Sequence, residues 1–118
     1  MGFLNRVILT GRLTADPELK YTENEIPVTR FRVATQRPPK KNGEKVADFI
    51  NVVTWNGQAK ATAEYLKKGQ MVAIDGRLQV SSYEKNGNRQ YYTEVVADNL
   101  HMVDPKTFEA TANTAVAA

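Results

Sequence analysis

The stretch that decides the fold of this chain is Val46-Ala47-Asp48-Phe49-Ile50-Asn51-Val52-Val53-Thr54-Trp55-Asn56-Gly57. Its side chains alternate with the period of two that an extended strand imposes. Phe49, Val53 and Trp55 therefore share one face, and Ile50 and Val52 share the other. We expect Ile50 and Val52 to face a core while Phe49 and Trp55 lie outside. The alternative, in which both rings fill the interior, stays open because Val53 is on their side.

The segment just upstream is strongly basic. It contains six cations and one acidic residue, Glu44, which is a local charge of +5 in a chain whose total charge is +3. The cations are Arg30, Arg32, Arg37, Lys40, Lys41 and Lys45. Cations attract phosphates and exposed rings stack on bases of any identity, so this combination is typical of a surface for single-stranded nucleic acid.

Composition sets the class of protein. The 118 residues predict one domain, and the 42% hydrophobic and 25% charged fractions are those of a globular chain. No apolar run approaches the roughly 20 residues of a membrane helix, and no leader-like segment precedes Phe3. The absence of cysteine removes disulfides and thiolate metal sites, so we expect a cytoplasmic protein.

The same alternation predicts further strands at 3–13, 28–36, 72–83 and 89–103. In the first, Phe3, Val7, Leu9 and Leu13 share one face, and Arg6, Thr10 and Arg12 are among those on the other. In the second, Phe31 and Val33 point inward while Arg30 and Arg32 point outward. In the third of these, one face carries Val72, Ile74, Leu78 and Val80, and the other carries Asp75, Arg77, Gln79, Ser81 and Tyr83. Asn42-Gly43 and Asn86-Gly87 predict turns that make hairpins of the neighbouring strands.

A single helix is predicted at 56–68, where the period changes to 3.6. Its buried stripe is Ala59, Thr62, Ala63 and Leu66. Asn56 is expected to cap its start and Gly69 to end it. A cluster of acidic residues before the second strand is expected to be a solvated turn: Asp16, Glu18, Glu23 and Glu25.

Five strands with one helix between the third and fourth predict an all-β OB-fold, a five-stranded Greek-key barrel. Gly11 and Gly76 lie inside strand patterns, where they would let a strand bend at a barrel corner. We expect this domain to occupy residues 1–104. Residues 105–118 lose the apolar period and are expected to form a short disordered tail.

The chain also resembles the bacterial single-stranded DNA-binding proteins over about residues 3 to 104. The resemblance is carried by Leu4-Asn5-Arg6-Val7-Ile8-Leu9-Thr10-Gly11-Arg12-Leu13, Asp16-Pro17-Glu18-Leu19, Asp48-Phe49-Ile50-Asn51, Glu64-Tyr65-Leu66-Lys67-Lys68-Gly69, Asp75-Gly76-Arg77-Leu78 and Thr93-Glu94-Val95. It implies sequence-independent binding of single-stranded DNA during replication, repair or recombination, by a homotetramer of OB-folds. It also implies that Phe49, Trp55 and Tyr83 occupy base-stacking positions.

Two features depart from that family. The loop after the second strand reads Arg37-Pro38-Pro39-Lys40 where many members have an aromatic residue, and Ser81 and Ser82 stand where cations are common. The family's glycine-rich linker and acidic C-terminal tip have no counterpart in Thr111-Ala112-Asn113-Thr114-Ala115-Val116-Ala117-Ala118. The resemblance therefore gives no basis for recruitment of replication or repair enzymes through such a tip.

The predicted DNA-binding residues are Arg30, Arg32, Arg37, Lys40, Lys41, Lys45, Phe49, Trp55, Arg77 and Tyr83. For Tyr83 the alternative is cross-strand packing on Tyr91 or Tyr92. His101 is the single histidine, and no metal-ligand spacing or nucleophile motif accompanies it, so neither an enzyme nor a cofactor or metal is expected. Two other functions stay open: an RNA-directed OB-fold module, and an assembly factor whose aromatic residues are buried against a partner protein.

Overall fold

Six strands and one short helix make up the fold. A computed structural model describes residues 3–103. The strands are β1 (Val7–Leu13), β2 (Glu18–Tyr21), β3 (Pro27–Gln36), β4 (Ala47–Trp55), β5 (Met71–Lys85) and β6 (Asn88–Met102), and the helix α1 (Gly57–Tyr65) lies between β4 and β5. The predicted tail at 105–118 lies outside the described residues.

The strands form one strongly curved sheet in the order β1-β5-β6-β4-β3-β2. β1 pairs with β5 and also reaches β3, through Arg12 with Ala34 and Leu13 with Val33. Most neighbours are antiparallel, whereas β4 and β6 run parallel through only two residue pairs. A mostly β chain with one helix inserted before β5 is consistent with the predicted OB-fold.

The predicted count of five strands is wrong, because β2 is an additional short strand. It pairs antiparallel with β3, and Glu18 lies opposite Arg30. Four residues are too few to display a clear alternation, so Asp16-Pro17 and the acidic residues indicated only a turn. Pairing with β3 supplies the backbone hydrogen bonds that make Glu18 and its neighbours a strand.

The first strand begins at Val7 rather than at residue 3. Phe3 and Leu4 are almost fully exposed and precede the strand, so the predicted start of the strand at Phe3 is wrong. Asn5 holds this segment against β5: its Nδ2 donates to the Leu78 carbonyl and its Oδ1 accepts from the Leu78 amide, both over 2.8 Å. A side-chain amide thereby continues the ladder where backbone pairing has stopped.

The main core lies where β1, β3, β4, β5 and β6 converge. Its buried members are Leu13, Phe31, Val33, Val52, Leu66, Val72, Ile74, Val95 and Ala97. Ile50 packs against them and is partly buried, so the aliphatic face of β4 supplies the interior as predicted. A smaller cluster of Val28, Val53 and Val96 lies on the opposite face of the sheet.

The helix is shorter than predicted and begins without a side-chain cap. Asn56 has φ 60 and makes no capping hydrogen bond through its side chain. The predicted stripe is nevertheless buried at Ala59 and Thr62. Thr62 is within 3.3 Å of Thr54 Oγ1, and Thr29 Oγ1 donates to the Ala59 carbonyl over 2.7 Å. Buried threonine hydroxyls therefore tie the helix to β3 and β4.

Both strand glycines allow a close backbone approach. A Cβ at Gly11 would lie 2.8 Å from the Ala34 carbonyl oxygen, and one at Gly76 would overlap the Val96 carbonyl. The β5–β6 register shifts between Asp75 and Gly76, as expected of a bulge. Gly76 therefore lies at an irregularity of the ladder, and the bend expected there stays a prediction.

Beyond Gly76, β5 and β6 continue as a two-stranded ribbon. Its turn is Asn86-Gly87, and both residues have the positive φ that a tight hairpin turn requires. Leu78 and Val80 share the predicted apolar face of Val72 and Ile74, but they are 44% and 57% exposed. β1 pairs with β5 only as far as Gly76, so this part of the ribbon projects past the core.

Candidate nucleic-acid interface

One continuous surface collects most of the predicted binding residues. In a sheet, residues directly opposite each other on paired strands point to the same side. The register therefore places these side chains on a common outer face: Val28, Arg30 and Arg32 of β3, Phe49, Asn51, Val53 and Trp55 of β4, Tyr92, Glu94 and Val96 of β6, and Arg77, Gln79, Ser81 and Tyr83 of β5. The parity predicted for Phe49, Trp55, Arg77 and Tyr83 is correct.

A row across four strands gives this outer face its centre. Arg77 lies opposite Val96, Val96 opposite Val53, and Val53 opposite Arg30. The two valines are buried, and both arginines are exposed. At a strand spacing near 4.8 Å, the backbones of the arginines are about 14 Å apart. The centre is thus an apolar floor with a cation on each side.

Phe49 is the most accessible ring on β4. It is 60% exposed, and the Arg32 guanidinium carbon lies 5.9 Å from its centroid, within cation–π range. Beside it, β4 and β6 separate, and an apolar cavity of about 290 Å³ opens between them. The ring therefore stands at the rim of an opening, where solvent and a flat ligand can reach it.

Trp55 differs from Phe49 because it is partly buried. It packs against the small cluster of Val28, Val53 and Val96. Neither sequence-based alternative describes this ring: it lies outside the main core yet contributes to packing on the outer face. A base could stack only on the part of the indole that this packing leaves exposed.

Tyr83 lies toward the turn of the ribbon, on the same face. It is exposed and lies opposite Gln90, whereas Tyr92 lies opposite Ser81. Tyr91 points to the other face by strand parity. Tyr83 therefore has no tyrosine directly across from it, but Tyr92 is its diagonal neighbour on the same face, so the packing alternative stays open for Tyr92.

The six cations between Arg30 and Lys45 are not equally free. Three of them form ion pairs: Arg30 with Glu94, Arg37 with Asp48, and Lys40 with Glu44. Within residues 3–103, no acidic side chain lies within ion-pairing distance of the other predicted cations, Arg32, Lys41, Lys45 and Arg77. Asp48 and Glu94 lie outside this segment, so their negative charges are not part of its local charge of +5. Because they pair with Arg37 and Arg30, the effective charge of the segment is lower than its sequence indicates.

Glu94 is the residue on this surface that sequence reasoning missed. Glu94 lies in Thr93-Glu94-Val95, which is one of the stretches that carry the family resemblance. Its burial, however, depends on β3 and β4, which are distant in sequence. Burial raises the pKa of the Tyr92 hydroxyl, and the negative charge of Glu94 raises it further, while Arg30 acts in the opposite direction. The three side chains thus form one electrostatic group.

No cluster of potential metal ligands occurs within residues 3–103. His101 is exposed and lies opposite Ala73 on β5. The described helix is also too short to cross a membrane.

Comparison with known proteins identifies the family. Residues 4–103 match the model of the single-strand binding protein family. The chain belongs to that family. Over 105 residues it is 50% identical to the single-stranded DNA-binding protein of Halalkalibacterium halodurans and to single-stranded DNA-binding protein A of Bacillus subtilis. It is also 50% identical over 103 residues to the single-stranded DNA-binding protein of Clostridium tetani.

These alignments cover this chain more completely than they cover its relatives. They include 87% of this chain but only 62% of the H. halodurans protein and 61% of the B. subtilis protein. For the C. tetani protein the corresponding values are 86% and 71%. The family match over residues 4–103 contains the whole outer face described above.

Proposed function

We propose that this chain binds single-stranded DNA without sequence preference, by attraction of phosphates followed by stacking of bases on the outer face of an OB-fold barrel formed by residues 1–104. Its role would be protection of single strands during replication, repair or recombination in the cytoplasm, by binding alone and without catalysis or a cofactor. The relatives' names support the ligand, and the geometry supports the mechanism.

The observation that carries the mechanism is Arg32 over the exposed ring of Phe49. Each base presents a π-face, so stacking on a ring contributes about 1–3 kcal/mol whatever the base. A guanidinium beside that ring can contact the phosphate of the same nucleotide. Trp55, Tyr83 and Arg77 share this surface, so several nucleotides could be held along it.

Fluorescence of Trp55 provides the test, because it is the only tryptophan in the chain. We expect poly(dT) to quench its emission, with similar affinities for poly(dA) and poly(dC) and much weaker binding of duplex DNA. Absence of binding to any single strand at low salt would contradict the proposal. Preferential binding of poly(U) over poly(dT) would instead support the RNA-directed alternative.

We also propose that the chain assembles into a homotetramer. Leu78, Val80 and Tyr91 form an exposed apolar patch on the ribbon face opposite Tyr83, and Ile8 of β1 is 70% exposed. Exposed apolar patches typically mark contacts between proteins. An assembly factor would instead bury the rings of the outer face, Phe49, Trp55 and Tyr83, against its partner protein.

Substitutions at two neighbouring residues test the apolar patch and the outer face independently. Val80→Glu adds a charge to the apolar patch and should lower the mass measured by sedimentation equilibrium. Ser81→Glu adds the same charge to the outer face and should weaken DNA binding while leaving the mass unchanged. A wild-type monomer at micromolar concentrations would contradict the tetramer.

A further inference from the structure

Glu94 is the one buried charged residue within residues 3–103, with only 3% of its surface exposed. Burial of a carboxylate is unfavourable unless a partner compensates for the lost hydration. It lies on the outer face, where a negative charge also repels phosphate. A buried ion pair often adds little to the stability of a fold, because the cost of desolvation offsets the attraction. Stability alone therefore does not explain a carboxylate in this position.

Arg30 reaches this carboxylate from the far side of β4. Its backbone is on β3, Glu94 is on β6, and β4 lies between these strands. Arg30 is opposite buried Val53, and Glu94 precedes by two residues Val96, which is opposite Val53 on the other side. Arg30 Nε donates to Glu94 Oε2 over 3.3 Å, and the two side chains are 48% and 4% exposed. The contact therefore extends the arginine across the apolar floor of the surface.

The manner of pairing distinguishes Arg30 from the other paired arginines. Arg6 and Arg37 each use Nε and Nη2 together on one carboxylate. Arg30 uses Nε alone on its carboxylate, and neither Nη1 nor Nη2 donates to an acidic side chain within residues 3–103. The Tyr92 hydroxyl lies beside the same guanidinium. The amino groups that Glu94 leaves unused belong to an oriented fork, and such a fork suits bidentate binding of phosphate.

We propose that Glu94 is a positioning residue for DNA binding: its buried carboxylate orients Arg30 so that the remaining amino groups of the guanidinium hold a backbone phosphate above Val53. This inference rests on the proposed binding of single-stranded DNA. Glu94 itself does not touch the DNA. Its contribution outweighs the repulsion of its own charge, because it removes rotamer freedom from Arg30 before DNA arrives.

The substitution Glu94→Gln gives opposite results under the two explanations. It makes the surface more positive by one charge, so simple electrostatics predicts tighter binding. Loss of positioning predicts weaker binding, and we expect the affinity for oligo(dT) to fall about three- to tenfold, the size of effect that contacting residues usually show. Asp48→Asn is the matched control, since it makes the same charge change at another arginine-paired carboxylate and should not weaken binding.

Glu94→Gln in an Arg30→Ala background distinguishes a loss of positioning from a general structural effect of the substitution. There Glu94→Gln should no longer weaken binding, because no arginine remains to be oriented. Arg30→Lys provides a second variant that leaves Glu94 in place: it keeps the charge but loses the fork, and should also weaken binding. Thermal unfolding should confirm that each variant is folded.

Three results would overturn the inference: equal or tighter binding by Glu94→Gln, an equal loss with and without Arg30, or wild-type affinity for Arg30→Lys. The wild-type chain distinguishes this failure from failure of the proposed function. If the wild type binds oligo(dT) and the variants behave in one of these ways, only the role of Glu94 is wrong. If the wild type binds no single strand, the proposed function itself is wrong.

Discussion

Arg37 and Asp48 form a two-point ion pair at the base of the β3–β4 hairpin. Arg37 Nε donates to Asp48 Oδ2 over 2.8 Å, and Nη2 donates to Oδ1 over 2.7 Å. Both groups are substantially exposed. A phosphate that binds Arg37 must therefore compete with an acid that already occupies one edge of its guanidinium.

That pair gives a prediction for pH. The hydrogen bond from Arg37 holds the pKa of the Asp48 carboxyl below its ordinary value. A lowered pKa means that the pair stabilises the fold above the unfolded-state pKa, near 3.9, and that this contribution is lost as pH falls through the lower folded-state value. In Arg37→Ala we expect the Asp48 pKa, measured by NMR titration, to rise toward its ordinary value. An unchanged pKa would contradict the effect assigned to Arg37.

The two rings of β4 should respond differently to truncation. Phe49→Ala should weaken binding of oligo(dT) by about 1–3 kcal/mol with little change in the unfolding temperature, because the ring stacks but does not pack. Trp55→Ala should weaken binding and also lower stability, because Trp55 packs on Val28, Val53 and Val96. Calorimetry alongside titration checks both. A large loss of stability in Phe49→Ala would show that its ring packs after all.

Salt dependence should identify the cations that neutralise phosphates. Binding should weaken as salt rises, with a log–log slope of about −0.7 for each phosphate neutralised. Charge reversal at Lys40 and Lys41 should flatten that slope. Reversal at Lys67 and Lys68, which follow the helix, makes the same change in net charge away from the outer face. Equal slopes for the two double variants would exclude a specific role for the hairpin lysines.

Gly76 should be far less tolerant of a side chain than Gly57. A Cβ at Gly76 would overlap the Val96 carbonyl, whereas one at Gly57 has no neighbour within 4 Å. We expect Gly76→Ala to lower the unfolding temperature strongly and Gly57→Ala to leave it unchanged or raise it, since alanine favours the helix. Similar unfolding temperatures for the two variants would show that β5 and β6 can separate at the bulge.

Much of the fold could be predicted because each long strand carries its own alternation. Phe31 with Val33, and Ile50 with Val52, mark their buried faces by sequence alone. The short β2 could not be predicted in this way, since its existence depends on pairing with β3. The exposure of Val80 could not be predicted either. Alternation indicates which side chains share a face, but it does not indicate whether other residues cover that face.

The candidate site shows the same division. Parity correctly placed Phe49 with Trp55 and Arg77 with Tyr83, but that these two pairs share one face follows only from the strand register. The ion pairs of Arg30 and Arg37 likewise depend on other strands. Counting charges within one segment therefore overestimated its free cations. A local sequence pattern reports the direction of a side chain, and only the assembled sheet reports its partners.

The β5–β6 ribbon also limits how this chain can change in length. Tyr83 on one face and Val80 on the other are separated only by strand parity, so one inserted residue in an arm would exchange the two faces beyond it. An insertion of two residues per arm would preserve both faces and move the turn farther from the sheet. We therefore expect each strand of the ribbon to change in length by two residues at a time. Such a change alters how far the turn extends from the sheet, and it leaves the same side chains on each face.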